Sequence, residues 1–289
     1  GDGGIREISL GGGTRFADGR GQVTVGISYT DRDAININSR AFFRQNRGVS
    51  STIPLGLFTP GVNAPDQAAV DAAFAAYGIA PGSVPASSSI GINPDGTLFS
   101  TGRGVFNYRD NIPFVVNTGS ALLATPELTY SQIPLERIST FGRATFEASD
   151  NLKLFVQGLY TDYTSTTIAD AAPNAGLWTM RVPVTSPFIP DALRPLIDAR
   201  ANPAAPVVVT KRYSEVGPRR TGHDATTWQI LGGASGKLGN SDISWELYGS
   251  TGKSVVDDIA NGSVFTDRVQ TLVSAPDGGA SICDGGYNP

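Results

Sequence analysis

Residues 138–164 read ISTFGRATFEASDNLKLFVQGLYTDYT, and the three residues SDN separate two arms of this stretch. In the second arm, apolar or small residues occupy alternate positions: Leu152, Leu154, Val156, Gly158 and Tyr160. A period of two places such a set on one face of a β-strand. The short polar segment between the arms suits a tight turn, so the stretch predicts a β-hairpin.

Two further stretches share this design: residues 5–33, with the turn ADGRG, and residues 226–254, with the turn GNSD. The arms of the three hairpins have about 11–13 residues. A tilted strand needs ~9–11 residues to cross a bilayer. The segments between the hairpins are much longer, with 104 residues over 34–137 and 61 residues over 165–225. Because they are rich in Pro, Ser, Asn and Gly, they predict long loops with limited local structure.

Two short helices are predicted inside these long segments. The first covers residues 65–78, where Asp66 is placed to cap the start and Gly78 stands at the end. The second covers residues 190–203 and is interrupted by Pro195.

Composition narrows the class of protein. The chain has 35 Gly among 289 residues, 17% charged residues and a net charge of -4. Without a block of Lys and Arg, the sequence argues against nucleic acid as a partner. No run approaches the ~18 apolar residues of a membrane-spanning helix, although membrane-spanning strands carry a weaker signal. The sequence begins without Met and without a signal-peptide pattern, so we expect an interior piece of a larger protein.

The loop lengths favour one fold class. Each hairpin has a tight turn at one end and long loops at the other, as in outer-membrane barrels. We therefore predict an all-β fold, an antiparallel transmembrane β-barrel fragment of hairpins with short periplasmic turns and long extracellular loops. Aromatic residues near the strand ends are candidates for interfacial girdles, or alternatively for the core of a β-sandwich: Phe16, Tyr29, Phe146, Tyr160, Trp228 and Trp245.

Motifs for covalent chemistry are missing from the sequence. The segment GGASGKL, residues 232–238, departs from the phosphate-binding pattern at both ends. His223-Asp224 has no positioned nucleophile motif and is expected on a solvated loop. The acidic pairs Asp31/Asp33 and Asp257-Asp258 are expected just past the strand ends, with too few oxygens for calcium. We predict that the chain is not an enzyme and holds no cofactor or metal.

The sequence resembles part of the barrel domain of TonB-dependent outer-membrane receptors. Three stretches resemble successive barrel hairpins: ISLGGGTRFADGRGQVTVGISYTDRDAI, IPLERISTFGRATFEASDNLKLFVQGLYTDY and VGPRRTGHDATTWQILGGASGKLGNSDISWELYGSTG. A fourth, VQTLVSAPDGGASICDGGYNP, resembles the loop segment that follows. The order and spacing of the four stretches carry the resemblance.

The resemblance implies energised uptake of a scarce nutrient, such as a ferric siderophore, a cobalamin or an oligosaccharide, at the cell outer membrane. The implied partners are outer-membrane lipid, the small nutrient ligand and the TonB complex, which acts through a plug domain. Members of the family have a plug and 22 strands, whereas this sequence predicts six strands over residues 1–289 and no plug. Cys283, the single cysteine, is expected to pair with a cysteine further along the parent chain.

The resemblance also suggests two sets of site residues. Residues expected to face the lumen or the plug are Gln22, Thr24, Arg143, Glu147, Lys153, Gln157 and Glu246. Residues expected to bind ligand in the loops and upper rim are Phe42, Phe43, Tyr108, Lys211, Arg212, Arg219 and Arg220. The basic residues of the second set are equally typical of an ordinary charged rim, and its aromatic residues of loop packing. Two other functions stay open, a porin-type outer-membrane barrel and a secreted β-sandwich module for binding or adhesion.

Overall fold

The computed structural model describes residues 3–42, 49–50, 52–110, 114–117, 120–124, 129–174, 178–239, 241–287 and 289. The chain is mostly β, with antiparallel sheets, and it divides into two units. The sheet unit comprises Gly1–Arg40, Leu128–Ala169 and Arg220–Asn261. The core unit comprises Ala41–Glu127, Asp170–Arg219 and Gly262–Pro289.

Strands and helices are numbered in chain order within the described residues. The strands are β1 (Ile5–Phe16), β2 (Gly21–Arg32), β3 (Ile35–Asn36), β4 (Val49–Ser50), β5 (Leu57–Phe58), β6 (Ile90–Ile92), β7 (Leu98–Ser100), β8 (Phe114–Asn117), β9 (Ser120–Ala124), β10 (Tyr130–Gln132), β11 (Leu135–Ser149), β12 (Leu152–Ala169), β13 (Met180–Val182), β14 (Val207–Thr210), β15 (Arg219–Lys237) and β16 (Ser244–Asn261). The helices are α1 (Gln67–Ala75), α2 (Arg194–Asp198) and α3 (Thr266–Ser274).

The sheet unit contains a six-stranded antiparallel sheet in the order β1-β2-β11-β12-β15-β16. The three predicted hairpins are therefore confirmed and lie side by side in sequence order. Several strands are longer than predicted, since β12 has 18 residues and β15 has 19. The extension of β12 covers residues 165–169, which include Thr166, Thr167 and Ile168, and β-branched side chains suit an extended backbone. The strands of the described residues form no closed barrel, so the predicted barrel is shown only as an open antiparallel sheet.

The hairpin turns define one end of this sheet, here called the turn end, and the opposite end is called the open end. In the β1–β2 turn, Ala17 and Asp18 both have left-handed backbones, with φ of 52° and 57°. Gly19 follows with φ of 91°, so three of the four residues that join β1 to β2 have positive φ. The β11–β12 connection has two residues outside the strands, and a bulge lies between Glu147 and Ser149.

The core unit buries apolar side chains around a five-stranded sheet in the order β13-β14-β5-β6-β7. Its fully buried residues include Val70 and Phe74 of α1, Met180 of β13 and Leu196 of α2. The long connections thus contain more structure than the sequence predicts. Their strands have two to five residues; some pair locally, as β8 does with β9, and others pair with distant segments, as β14 does with β5. Such short strands leave no periodic pattern in the sequence.

The helices of the core unit agree in part with the predictions. The helix α1 is confirmed and Gly78 follows it with φ of 75°, but Asp66 at the N-cap makes no side-chain capping hydrogen bond. Pro195 lies in the first turn of α2 rather than interrupting it, because the first turn does not use the missing N–H. The helix α3 was not predicted, and it buries Val269 and Val273.

Candidate functional site

The strand register sorts the side chains of the six-stranded sheet into two faces, because directly paired residues point to the same side. One face, here called the apolar face, carries large exposed hydrophobic side chains on all six strands. Leu10 of β1 is 70% exposed and Leu247 of β16 is 72% exposed. The other exposed members include Ile8, Val25, Ile27, Ile138, Leu154, Val156, Tyr160, Trp228, Ile230, Trp245 and Val255. A surface of this kind requires a nonpolar environment, either lipid or another protein layer.

Aromatic side chains lie near both limits of the apolar face. Phe16 and Phe146 lie at the turn end, where both are paired in register with Gly21. Tyr29 and Tyr160 lie towards the open end. Of the predicted aromatic candidates, Phe16, Phe146 and Trp245 therefore lie at strand ends, whereas Tyr160 and Trp228 lie near the middle of β12 and β15.

Towards the open end the same face also carries charged residues: Asp162 and Lys253 lie among the apolar side chains, and a charged row crosses the strands. Strand register and one side-chain hydrogen bond align its members across the six strands: Arg6, Asp31, Glu136, Thr164, Asp224 and Asp257. Arg6 Nη1 lies 3.0 Å from Asp31 Oδ2, and the Tyr29 hydroxyl donates to Glu136 Oε1 at 3.0 Å. The Thr164 hydroxyl donates to Asp224 Oδ1 at 2.7 Å. The sequence pattern therefore changes from apolar to charged within continuous strands.

This arrangement corrects the prediction for the acidic pairs. Asp31, Asp257 and Asp258 lie inside strands rather than past their ends. Because successive residues of a strand point to opposite faces, Asp257 and Asp258 do not face a common site.

The opposite face, here called the polar face, carries every residue predicted to face a lumen: Gln22, Thr24, Arg143, Glu147, Lys153, Gln157 and Glu246. Thr24 pairs with Arg143, which in turn pairs with Gln157. The Arg143 guanidinium carbon lies 6.0 Å from the centre of the Phe155 ring. The polar face also exposes Ile5, Phe141, Tyr248 and Val256, so the two faces differ in which kind of residue predominates: polar residues on this face and large hydrophobic residues on the other.

His223 also belongs to the polar face, and its surroundings differ from the prediction. It lies in β15 rather than on a loop, and its register partner is Asp258. His223 Nδ1 lies 2.6 Å from Asp258 Oδ1, and Nε2 lies 3.4 Å from the Thr167 hydroxyl. The sequence neighbour Asp224 points to the other face. The sequence did not predict this pair, because the predicted hairpin covers residues 226–254 and both His223 and Asp258 lie outside that range.

Two of the predicted ligand-binding residues, Lys211 and Arg212, have different environments in the core unit. Lys211 Nζ lies 3.2 Å from Glu215 Oε1 and 5.1 Å from the centre of the Tyr287 ring. Arg212 is buried and donates to the Ala171 carbonyl at 2.8 Å and to the Ser50 hydroxyl at 2.9 Å. The guanidinium of Arg212 thus joins separate segments of its own unit and is not presented at a surface.

The remaining members of that predicted set are dispersed. Arg219 is exposed and donates from Nε to the Asp170 carbonyl at 2.9 Å, and Arg220 is exposed in β15. Tyr108 is half-buried and packs edge-on against Phe99, with ring centres 5.1 Å apart. Phe42 is 66% exposed, whereas Phe43 lies outside the described residues.

Burial and hydrogen bonds shift several pKa values in the core unit. Burial raises the pKa of Tyr213 to about 12, with a further contribution from Glu215, and burial also raises the pKa of Tyr287. Hydrogen bonds from Thr97 lower the pKa of Asp95, and those from Ser281 lower the pKa of Asp277. Both carboxylates accept bonds within their own turns, so these shifts reflect local structure.

Metal binding has no support in the described part of the chain, where no group of three or more His, Cys, Asp or Glu side chains is placed to hold an ion. Among the described helices, none has the length and apolar character to cross a membrane. No protein-family model, curated protein or solved structure matches this chain.

Proposed function

We propose that the sheet unit is a section of the wall of an outer-membrane β-barrel, and that the parent protein is a TonB-dependent receptor for a scarce nutrient. One observation carries the proposal: one face of the six-stranded sheet exposes large hydrophobic residues on all six strands, whereas the residues predicted to face a lumen all lie on the opposite face. Each Å² of apolar surface left in water forgoes about 25 cal/mol. Lipid would remove the apolar face from water, and water or a plug would hydrogen-bond with the polar face.

The dimensions of the apolar face support a bilayer as its environment. In β2, Gly21 lies in register with Phe16 and Phe146, and Tyr29 lies eight residues further along. That span is about 26 Å along the strand, or about 20 Å along the membrane normal for a tilt of about 40°. The apolar band of outer-membrane barrels is about 25 Å tall and is flanked by aromatic girdles.

The edges of the sheet support a larger assembly. Within the described residues, β1 and β16 each pair with one neighbour only. Unpaired backbone groups are costly in hydrocarbon, so spanning strands occur in closed barrels. Further strands of the parent chain would pair both edges in this proposal.

The receptor function itself is supported by the sequence resemblance. In this proposal the parent binds a ferric siderophore, a cobalamin or an oligosaccharide outside the cell and passes it inward when the TonB complex displaces the plug. The polar face then lines the lumen or contacts the plug. Exposed Arg219 and Arg220 stay the basic candidates for ligand contact, whereas Arg212 is buried. No covalent chemistry is required.

The membrane orientation is tested by spin labels on two adjacent residues of β2. Val25 lies on the apolar face and Thr24 on the polar face, and both are exposed. Val25→Cys and Thr24→Cys are made separately in a Cys283→Ser background and reconstituted in phosphatidylcholine bilayers. We expect the label at position 25 to be accessible to oxygen and the label at position 24 to a polar nickel complex. Equal access of both labels to the nickel complex, or a monomeric chain in buffer without detergent, would overturn the proposal in favour of a secreted sandwich module.

The choice between a receptor and a passive porin is tested by sequencing the coding DNA on both sides of this segment. We expect a plug-sized domain upstream and many alternating strands downstream. A complete barrel with no plug would support the porin instead.

A further inference from the structure

The turn end of the sheet contains a stack of two aromatic rings and a guanidinium group. The rings of Phe16 and Phe146 are parallel, with an interplanar angle of 6° and centres 6.2 Å apart. They lie on either side of β2 at Gly21, where an added Cβ would overlap the Phe16 ring. The guanidinium carbon of Arg20 lies 5.6 Å from the centre of the Phe146 ring. Glycine at position 21 therefore allows the rings to approach, and Arg20 extends the stack beyond Phe146.

A groove opens on the apolar face beside this stack. It is an open depression of about 180 Å³, lined by Phe16, Ala144, Thr145, Phe146, Leu154, Phe155 and Val156. All of these side chains except Thr145 lack a hydrogen-bonding group, so the groove suits a hydrocarbon chain better than a polar ligand. Its long direction follows β11 and β12, because Ala144 pairs with Val156 and Phe146 pairs with Leu154.

Arg20 places positive charge beside the groove through its contact with Phe146, although it lines a separate polar depression at the turn end with Glu147, Asp150 and Lys153. Its Nε donates weakly to the Ala17 carbonyl at 3.4 Å. Among the residues that the structure describes, none accepts a hydrogen bond from its two terminal amino groups. No carboxylate of these residues lies within 4.0 Å of them. A guanidinium presents paired N–H donors that match two oxygens of a phosphate. Asp18 and Glu147 lie nearby in sequence or register, yet neither occupies these donors.

We propose that the groove and Arg20 together bind one anionic glycerophospholipid, with an acyl chain in the groove and the headgroup phosphate on the Arg20 guanidinium. The inference rests on the proposed membrane position of the sheet, and it adds a specific lipid site to a general lipid-facing surface. In the proposed orientation the short turns face the periplasm, so the site lies in the periplasmic leaflet. The complementarity is twofold: hydrocarbon against an apolar groove, and a phosphate against unused arginine donors beside it.

Lipid competition tests this site on the full 289-residue chain. The chain in detergent is equilibrated with equal amounts of phosphatidylglycerol and phosphatidylcholine that carry the same acyl chains, and the retained lipids are counted by native mass spectrometry. We expect one phosphatidylglycerol to be retained with a preference of about fivefold, because the choline ammonium offsets the phosphate charge of phosphatidylcholine and an exposed ion pair contributes up to about 1 kcal/mol. Arg20→Gln should reduce the preference to near one. Ala144→Leu, which fills the groove on an exposed sheet face, should lower the retention of both lipids.

Arg15→Gln is the matched control, because Arg15 is exposed at the turn end and belongs to the polar face. It should leave both the preference and the retention unchanged. An unchanged preference in Arg20→Gln, or an equal loss in Arg15→Gln, overturns the lipid site even when the spin labels report bilayer insertion. If those labels report no insertion, the proposed function fails as well, so the two failures are distinguishable.

Discussion

The two units place the same residue types in opposite environments. In the core unit, Phe74 is 1% exposed and Ile90 is fully buried, as in an ordinary water-soluble fold. In the sheet unit, Leu10 and Val25 are more than half exposed, although they alternate with polar residues as regularly as in any half-buried strand. The mean hydropathy of -0.08 averages these two patterns and describes neither. Alternation along a strand therefore predicts which face is apolar, but not whether protein or lipid will cover that face.

The arginines show the same contrast between the units. Arg212 of the core unit is buried, and backbone carbonyls and a hydroxyl take up its donors. Arg20 of the sheet unit is exposed, and its terminal amino groups have no partner in the described residues. The buried guanidinium of Arg212 therefore stabilises the fold through its hydrogen bonds, whereas the exposed guanidinium of Arg20 can bind a ligand.

The largest expected difference between the units comes from shortening one apolar side chain in each. Phe74→Ala removes a fully buried ring and should lower the free energy of unfolding of the core unit by about 3–5 kcal/mol. Leu10→Ala removes an exposed side chain and should cost less than about 1 kcal/mol. Urea unfolding of the core unit is followed by Trp178 fluorescence in a Trp228→Phe, Trp245→Phe background, and that of the sheet unit by Trp228 and Trp245 fluorescence in a Trp178→Phe background. Equal losses for the two variants would contradict the comparison.

High pH should weaken the core unit more than the sheet unit. Burial raises the pKa of Tyr213 from 10.0 to about 12. The stability supplied by the neutral phenol is therefore complete below pH 10 and is lost as the pH rises through about 12. A pKa shift of this size corresponds to a change of about 3 kcal/mol in the free energy of unfolding. Tyr213→Phe should flatten this pH dependence of the Trp178 transition, whereas Tyr248→Phe, on the exposed sheet, should not. An unchanged slope in Tyr213→Phe would show that this phenol stays neutral or is already solvated.

The smallest expected effect concerns exposed ion pairs. Arg6 and Asp31 lie 3.0 Å apart, with 75% and 33% of their side chains exposed. Arg6→Gln should cost about 0.2–1 kcal/mol, and 1 M salt should remove the difference from the parent chain. Lys211→Gln in the core unit should cost more and respond less to salt, because the Lys211 side chain is only 12% exposed. If 1 M salt reduced the destabilisation equally in both variants, the ion pairs of the two units would not differ in solvent screening.

The sequence predicts the hairpins because their information is local. In the β1–β2 hairpin, turn residues and alternating apolar positions lie within 28 residues of chain, from Ile5 to Arg32. The polar-face residues were predicted on the same basis, since a period of two needs no distant contact. The core unit was not predicted, because several of its strands pair with segments that are distant in sequence. Its strands β5 and β14 pair Phe58 with Val209, and neither strand is long enough to show a period.

Site residues that depend on register were also missed. His223 and Asp258 meet because β15 and β16 extend beyond the predicted hairpin, and composition alone does not mark these extensions. Arg212 was expected at a rim because a basic residue in a loop is usually exposed. Its burial depends on acceptors at Thr52 and Ala171, which the fold brings together from separate segments.

The discontinuous build of the core unit also has a consequence during synthesis. The hydrophobic core unites Phe58 with Val273, so it stays incomplete until α3 has left the ribosome. The two strands of the β1–β2 hairpin pair with each other within the first 32 residues, although β2 also pairs with β11. Contacts close in sequence form faster than distant ones. We therefore expect the β1–β2 pairing to form faster than the core unit, which cannot close before α3 is available.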